Sequence, residues 1–251
     1  MSQTAKTSAI PSPTAGQQIA TVAANAVEFP DLGDLGEHFP SHAPIFGCPA
    51  GEFARTLAEL AASPEQDGLL QGPVHGYLRK ADALALHDLA WHAAGDVLEL
   101  GAAWGLSTVI LARAVSAARP AARLVSVDID PGFHRLSQAA VNAEGLSDHL
   151  LAIHGDAGEI VVRLADQGRR FGLVFVDHDH SRPATQRVCD LLSRLVLPGG
   201  WVAFHDFNDA RNRTEPAEYG IYPAVEALLC KPEFTFCGVV GCMGLIRMNE
   251  G

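Results

Sequence analysis

A strand that runs straight into a glycine turn and then a helix constrains this chain more than any other feature. Residues 96–108 read DVLELGAAWGLST. Val97 to Leu100, with Glu99 among them, read as a buried strand. Gly101 and Gly105 bracket the turn that follows, where a missing Cβ lets the backbone bend tightly and approach a ligand. Ser107 and Thr108 open a helix that continues as VILARAV, so free N–H groups and a positive dipole end face the turn. This is the first unit of a nucleotide-type α/β fold. Its G-x-x-x-G spacing matches neither the G-x-G-x-x-G of a dinucleotide site nor the G-K-[ST] ending of a P-loop.

Downstream, Leu124–Ile129 reads as a second strand with Asp128 near its C-terminal end, and LLAIH runs into Gly155-Asp156-Ala157. Taken in order, E-L-G-x-x-x-G, V-D-I-D-P, G-D-A, F-V-D-H-D-H and L-P-G-G-W resemble the motifs of class I S-adenosylmethionine-dependent methyltransferases, from about Gly76 to the C-terminus. The resemblance implies a Rossmann-like α/β fold: a mostly parallel seven-stranded sheet with an antiparallel last strand and helices on both faces. It also implies an S-adenosyl-L-methionine site. Glu99, Gly101, Gly105, Ser107, Asp128 and Asp177 would bind the cofactor, with Gly101 near the methionine portion, Glu99 engaging the cationic amino-acid moiety and Asp128 the ribose hydroxyls. Asp156 either pairs with the adenine amino group or caps a helix.

The alternation of patterns divides the chain. Residues 1–27 are rich in Ser, Thr, Gln, Pro and Ala and read as a disordered tail without the apolar core of a secretory signal. Residues 28–95 read as a loop and helical extension covering the active site, with helices over 52–62 and, amphipathic, over 79–93. Residues 96–251 form the cofactor-binding domain. Strands are expected near 97–100, 124–128, 150–154, 172–177 and 199–205, and helices near 106–118, 132–144, 158–166, 183–195 and 222–229. The strands 234–240 and 243–248 are so closely joined at Gly241-Cys242 that they must form an antiparallel hairpin.

Two strands end in chemistry-bearing residues. FGLVFVD ends at Asp177 and leads into His178-Asp179-His180, and WVAFHDF ends at His205-Asp206. Ligands of open α/β sheets bind beyond the carboxyl ends of the strands, so these side chains share one crevice. Neighbouring carboxylates repel unless a cation or proton lies between them. Two Asp ligands suit Mg²⁺, and a His ligand shifts the preference toward Mn²⁺, Fe²⁺ or Zn²⁺. The pattern resembles metal-dependent small-molecule O-methyltransferases, including those acting on macrolide sugars. That resemblance implies metal ligands at Asp177, His205 and Asp206, and a general base at His180. Residue by residue, His180 is a base or a metal or substrate binder, His205 a ligand or an orienting group, and His178 faces away or caps a turn.

Composition narrows the partners. A net charge of −11 disfavours nucleic acid and anionic membranes, and no apolar run reaches the roughly 18 residues of a membrane helix. Five cysteines without a C-x-x-C pair suit reduced thiols in the cytoplasm. The chain is compatible with a monomer or a homo-oligomer. The expected activity is divalent-metal-assisted O-methylation of a small sugar, polyketide or phenol. Competing readings are a hydroxylase-like enzyme with a two-His, one-carboxylate iron site, a metal-dependent hydrolase, and a non-catalytic S-adenosylmethionine-binding protein.

Overall fold

The computed structural model describes residues 27–251. The expected tail over 1–27 therefore lies outside the described residues except for Val27, whose N–H donates to the Phe236 carbonyl at 3.2 Å. In chain order the elements are α1 (Glu52–Ala62), β1 (Glu65–Gln66), β2 (Leu69–Leu70), α2 (Lys80–His92), β3 (Val97–Leu100), α3 (Leu106–Ala118), β4 (Leu124–Asp128), α4 (Pro131–Ala143) and β5 (Leu150–His154). They continue with α5 (Ala157–Asp166), β6 (Phe171–Val176), α6 (Arg182–Cys189), α7 (Leu192–Leu195), β7 (Val196–Phe204), α8 (Arg211–Thr214), α9 (Ile221–Leu228), β8 (Phe234–Val240) and β9 (Met243–Met248). No helix among the described residues is long and apolar enough to cross a membrane.

The main sheet has the order β5-β4-β3-β6-β7-β9-β8. The first five of these strands are parallel, and β9 runs antiparallel to both of its neighbours. The two most central strands, VLEL and FGLVFV, are buried along their whole length, as strands covered on both faces must be. Alternate residues feed two core layers. Leu98, Leu100, Val174 and Val176 pack with α5, α6 and α9. Val97, Leu173 and Phe175 pack with α2 and α3 on the other face. β1 and β2 form a separate short hairpin.

Two sequence expectations change. The helix expected over 183–195 breaks into α6 and α7, because the chain tightens between them into i→i+3 bonds from Leu191 N–H to Val188 and from Arg194 N–H to Leu191. The helix expected to be amphipathic over 79–93 is instead covered nearly all round, with Asp82, His87 and Asp88 as buried as its apolar residues. Its polar side is covered by the N-terminal segment. Phe53 of α1 stacks on His87, and the strap containing His42 and Ile45 closes over Asp88.

Asp88 is the pin of that strap. One carboxylate oxygen accepts from the Ile45 N–H at 2.7 Å and lies 3.2 Å from His42 Nε2, and the other lies 3.1 Å from His92 Nδ1. Burial opposes its charge, but these partners prevail and hold its carboxyl below the usual range. Asp88→Ala strands the buried Ile45 N–H, so urea denaturation is expected to show a loss of about 2–4 kcal/mol. An unchanged midpoint would remove Asp88 from this role.

Candidate active site

The glycine turn is held from both sides. Gly101 has φ 94°, and a Cβ there would stand 2.0 Å from the Asp177 carbonyl oxygen, so only glycine fits. Asp128 fastens the other flank. Its Oδ2 accepts from the Ala102 and Ala103 N–H groups at 3.0 and 2.9 Å, and its Oδ1 from Asp130 N–H at 2.8 Å. Gly105 precedes the first residue of α3, and its carbonyl accepts from Val109 N–H. Asp156 caps α5 through the Glu159 N–H at 3.0 Å, which is the second of its two expected roles.

Gly101, Asp128 and Asp156, but not Gly105, line a cavity of about 300 Å³ together with Phe133, Asp177 and His178. His178 was expected to face away or cap a turn. It lines the cavity instead, with a buried Nε2 that has no hydrogen-bond partner. A smaller recess of about 50 Å³ lies between the segment from His75 to Leu78 and the glycine turn, and reaches Trp104, Ser107 and Asp177. Glu99 stands behind this wall and is fully buried. Its Oε2 accepts from Thr108 and Ser126 hydroxyls at 2.8 and 2.5 Å, while Oε1 has no partner. Burial pushes its carboxyl up to about 7.

Beyond the ends of β6 and β7, acidic and imidazole groups meet. Asp177, His180 and Asp206 each bring one ligand atom within 4.8 Å of the others. That set is two carboxylates and one imidazole, with His180 in the place expected for His205. His180 Nε2 lies 3.5 Å from Asp177 Oδ1 and 3.3 Å from Asp206 Oδ2, and its ring stacks on Tyr219. His205 approaches from below, with Nδ1 at 3.1 Å from Asp177 Oδ1 and 3.4 Å from Asp206 Oδ1. Burial resists the charge of both imidazoles, but the carboxylates overcome it and raise His180, and raise His205 far more. Asp177 is held low in turn by the neighbouring imidazoles despite its burial.

Three further residues reach this cluster. Arg211 grips Asp209 with Nη2 at 2.6 Å and lies 3.7 Å from Asp206. Cys242 Sγ sits 3.5 Å from Asp206 Oδ1, and burial pushes its thiol upward, so it stays protonated. Asp82 of α2 places Oδ2 at 3.5 Å from His205 Nε2. No periodicity in the sequence marks Asp82. The only signal was its acidic side chain in an otherwise alanine- and leucine-rich helix.

Residues 98–207 match a family described as a methyltransferase domain. A catechol O-methyltransferase of Niastella koreensis is 31% identical over 133 residues, which are 51% of this chain and 58% of the relative. The chain thus matches less than two thirds of that relative's length. Among solved structures, an O-methyltransferase from Streptomyces achromogenes involved in tomaymycin synthesis, in complex with S-adenosylmethionine, superposes with a TM-score of 0.59 at 22% identity, covering 69% of this chain and 82% of that one. A Bacillus cereus O-methyltransferase in complex with S-adenosylhomocysteine gives 0.55 at 20% identity over 79% of this chain and 90% of its own. These superpositions establish a shared fold.

Glu99 makes a testable electrostatic claim. Its carboxyl ionises near the ordinary 4.5 when unfolded and near 7 when folded. Across that window the unfolded chain loses a proton that the folded chain keeps, so this group's contribution to stability falls as pH rises. Glu99→Gln abolishes the effect. Its stability relative to the parent chain should rise by up to about 3 kcal/mol between pH 4.5 and 7.5 and then level off. Denaturation at several pH values measures the difference, and a flat profile contradicts the buried-acid assignment.

Proposed function

We propose that this chain, in which residues 98–207 match a methyltransferase-domain family, transfers the methyl group of S-adenosylmethionine to an oxygen of a small hydroxylated molecule with help from a divalent cation. One observation carries the reading: Asp177 lines the cavity at the glycine turn and also belongs to the cluster with His180 and Asp206. A donor held in the cavity and an acceptor held at the cluster would meet across that single residue.

In the cavity, the close backbone at Gly101 takes the methionine end of the donor, with Ser107 beside it and the buried Glu99 behind that wall. Asp128 keeps one lone pair on Oδ1 for a ribose hydroxyl beyond those used to hold the turn. The second oxygen of Asp156, which lines the same cavity, would take the adenine amino group.

The cluster's donor set suits a divalent cation. His205 is buried, neither of its ring nitrogens has a hydrogen bond of good geometry, and Nδ1 faces two carboxylates. Asp177, Asp206 and His205 would hold the ion, with Mg²⁺ favoured by the carboxylates. When bound, it lowers the pKa of a substrate hydroxyl. His180 is the base. Its side chain is 33% exposed against 6% for His205, so a substrate proton can reach it. His180 Nε2 accepts the hydroxyl proton, and Asp206 at 3.3 Å stabilises the imidazolium. The substrate oxygen displaces the sulfonium, forming the O–CH₃ bond and leaving S-adenosylhomocysteine. Positioning supplies most of the remaining rate. The Niastella relative is named for catechol, whose adjacent hydroxyls suit a chelating site, and sugars, polyketides and phenols with paired oxygens share that chemistry.

Titration calorimetry should show S-adenosylhomocysteine binding to the protein. Binding of NAD in its place overturns the reading. His180→Ala should lower turnover on a catechol-type acceptor by about 10²–10⁴ while nearly preserving S-adenosylhomocysteine affinity. Loss of cofactor affinity with little change in turnover would make His180 a loop-ordering residue instead.

The metal assignment has its own measurement. EDTA should abolish activity, Mg²⁺ or Mn²⁺ should restore it, and Asp177→Asn should prevent the restoration. Full turnover in chelated buffer excludes the ion.

A further inference from the structure

One carboxylate enters the site from a direction the strand ends do not use. Asp82 lies in the first turn of α2 and is fully buried. Oδ1 accepts from the Cys242 N–H at 2.8 Å, and Oδ2 accepts from the Arg79 N–H at 2.8 Å. Oδ2 also faces His205 Nε2 at 3.5 Å. The turn between β8 and β9 is shaped around this carboxylate, since a Cβ on Gly241 would fall 2.1 Å from Asp82 Oδ1. Gly241 N–H donates in turn to the Pro40 carbonyl at 2.7 Å. The strap, α2 and the last hairpin therefore converge directly behind His205.

His205 is wedged between carboxylates. Asp82 faces Nε2, while Asp177 and Asp206 face Nδ1. An imidazole that ligates an ion through one nitrogen carries a single N–H on the other, and the partner of that other nitrogen decides how well the ligating lone pair is presented. We infer that Asp82 is a positioning residue that keeps the proton of His205 on Nε2 and presents the Nδ1 lone pair toward Asp177 and Asp206. This inference rests on the metal-assisted reading above. It makes the N-terminal extension part of the site's construction, because the group that orients a strand-end ligand belongs to α2.

An Asn at position 82 reverses the polarity. With its amide nitrogen in the place of Oδ2, which deprives the Arg79 N–H of its acceptor, it donates to Nε2 and moves the imidazole proton to Nδ1, against the carboxylates. The test uses the full chain. The ¹⁵N resonances of His205 are assigned by their loss in His205→Gln and recorded on Mg²⁺-loaded protein, and Mn²⁺ affinity is measured by the electron paramagnetic resonance of free ion. The parent protein should show a protonated Nε2 and an unprotonated Nδ1. Asp82→Asn should weaken Mn²⁺ binding about 10–100-fold and shift both nitrogens. Asp88→Asn loosens the same helix without touching His205 and should leave both readouts unchanged.

A folded Asp82→Asn with parental Mn²⁺ affinity overturns the inference, as does equal weakening by Asp88→Asn. If Asp82→Asn does not fold, the parental tautomer decides, and a proton on Nδ1 is fatal. If the parent binds neither ion, the metal reading fails. The Asp82 contact is then judged on the Nε2 shift alone, which must still move in Asp82→Asn.

Discussion

Everything at this site hangs on one backbone seam. Asp177 N–H donates to the Leu100 carbonyl at 2.8 Å, in line with the parallel register that pairs Leu100 with Val176. One residue later Gly101 passes so close to the Asp177 carbonyl that no Cβ fits. The glycine turn and the end of β6 are thereby locked together without any side chain between them. Asp177, at this seam, lines the cavity and also belongs to the carboxylate–imidazole cluster. The separation between a donor and an acceptor would then be set by sheet hydrogen bonds, which are the least deformable part of the fold. A reaction that depends on in-line approach gains most from such a support.

The second constraint is the density of buried acids, each of which needs its charge answered or removed. The chain uses different answers at different places. Asp128 spends its charge on three backbone N–H groups and so shapes the turn. Asp88 takes two imidazoles and a backbone N–H and so holds the strap. Glu99 has only hydroxyl partners at one oxygen and none at the other, and burial drives it toward the protonated form. Asp177 has imidazoles alone, and Asp206 has imidazoles with the Cys242 thiol and a more distant Arg211; imidazoles are groups that can release or exchange a proton. Of these acids, only that pair combines weakly committed partners with an opening to the outside, which is why the chemistry is assigned there.

The sheet was legible because its strands are unbroken aliphatic runs, and a run such as LVFV ending in Asp177 has no packing reason for the acid. The glycine turn was legible because its spacing places two small residues around a helix start. The polar residues of α2 were not. Asp82 and Asp88 look like the solvated face of an amphipathic helix until the strap and α1 close over them, and that closure depends on long-range contacts such as Ile45 to Asp88. His178 was obscured for a similar reason. Its orientation is decided by the path of residues 178–181 after β6, which no local pattern encodes. The break between α6 and α7 is equally invisible, since Val188, Leu192 and Leu195 keep helical spacing across it.

One backbone angle explains how neighbours in sequence come to serve the same cluster. In a continuing strand His205 and Asp206 would point to opposite faces of the sheet. Asp206 instead has φ 54°, a left-handed conformation that costs an ordinary residue about 1–2 kcal/mol and that Asp tolerates better than most. The turn is held by Asn212, whose amide donates to the carbonyls of Asp206, Phe207 and Asp209 at 2.8, 3.2 and 3.1 Å. With the chain bent there, both side chains come to the end of β6. His205 contacts Asp177 from the buried side, and Asp206 contacts His180 from the open side. Strain held in place at such a point is what a site needs when adjacent residues must act on one centre. The buried face receives its own support from Asp82, so the cluster is braced from both the sheet and the N-terminal helix.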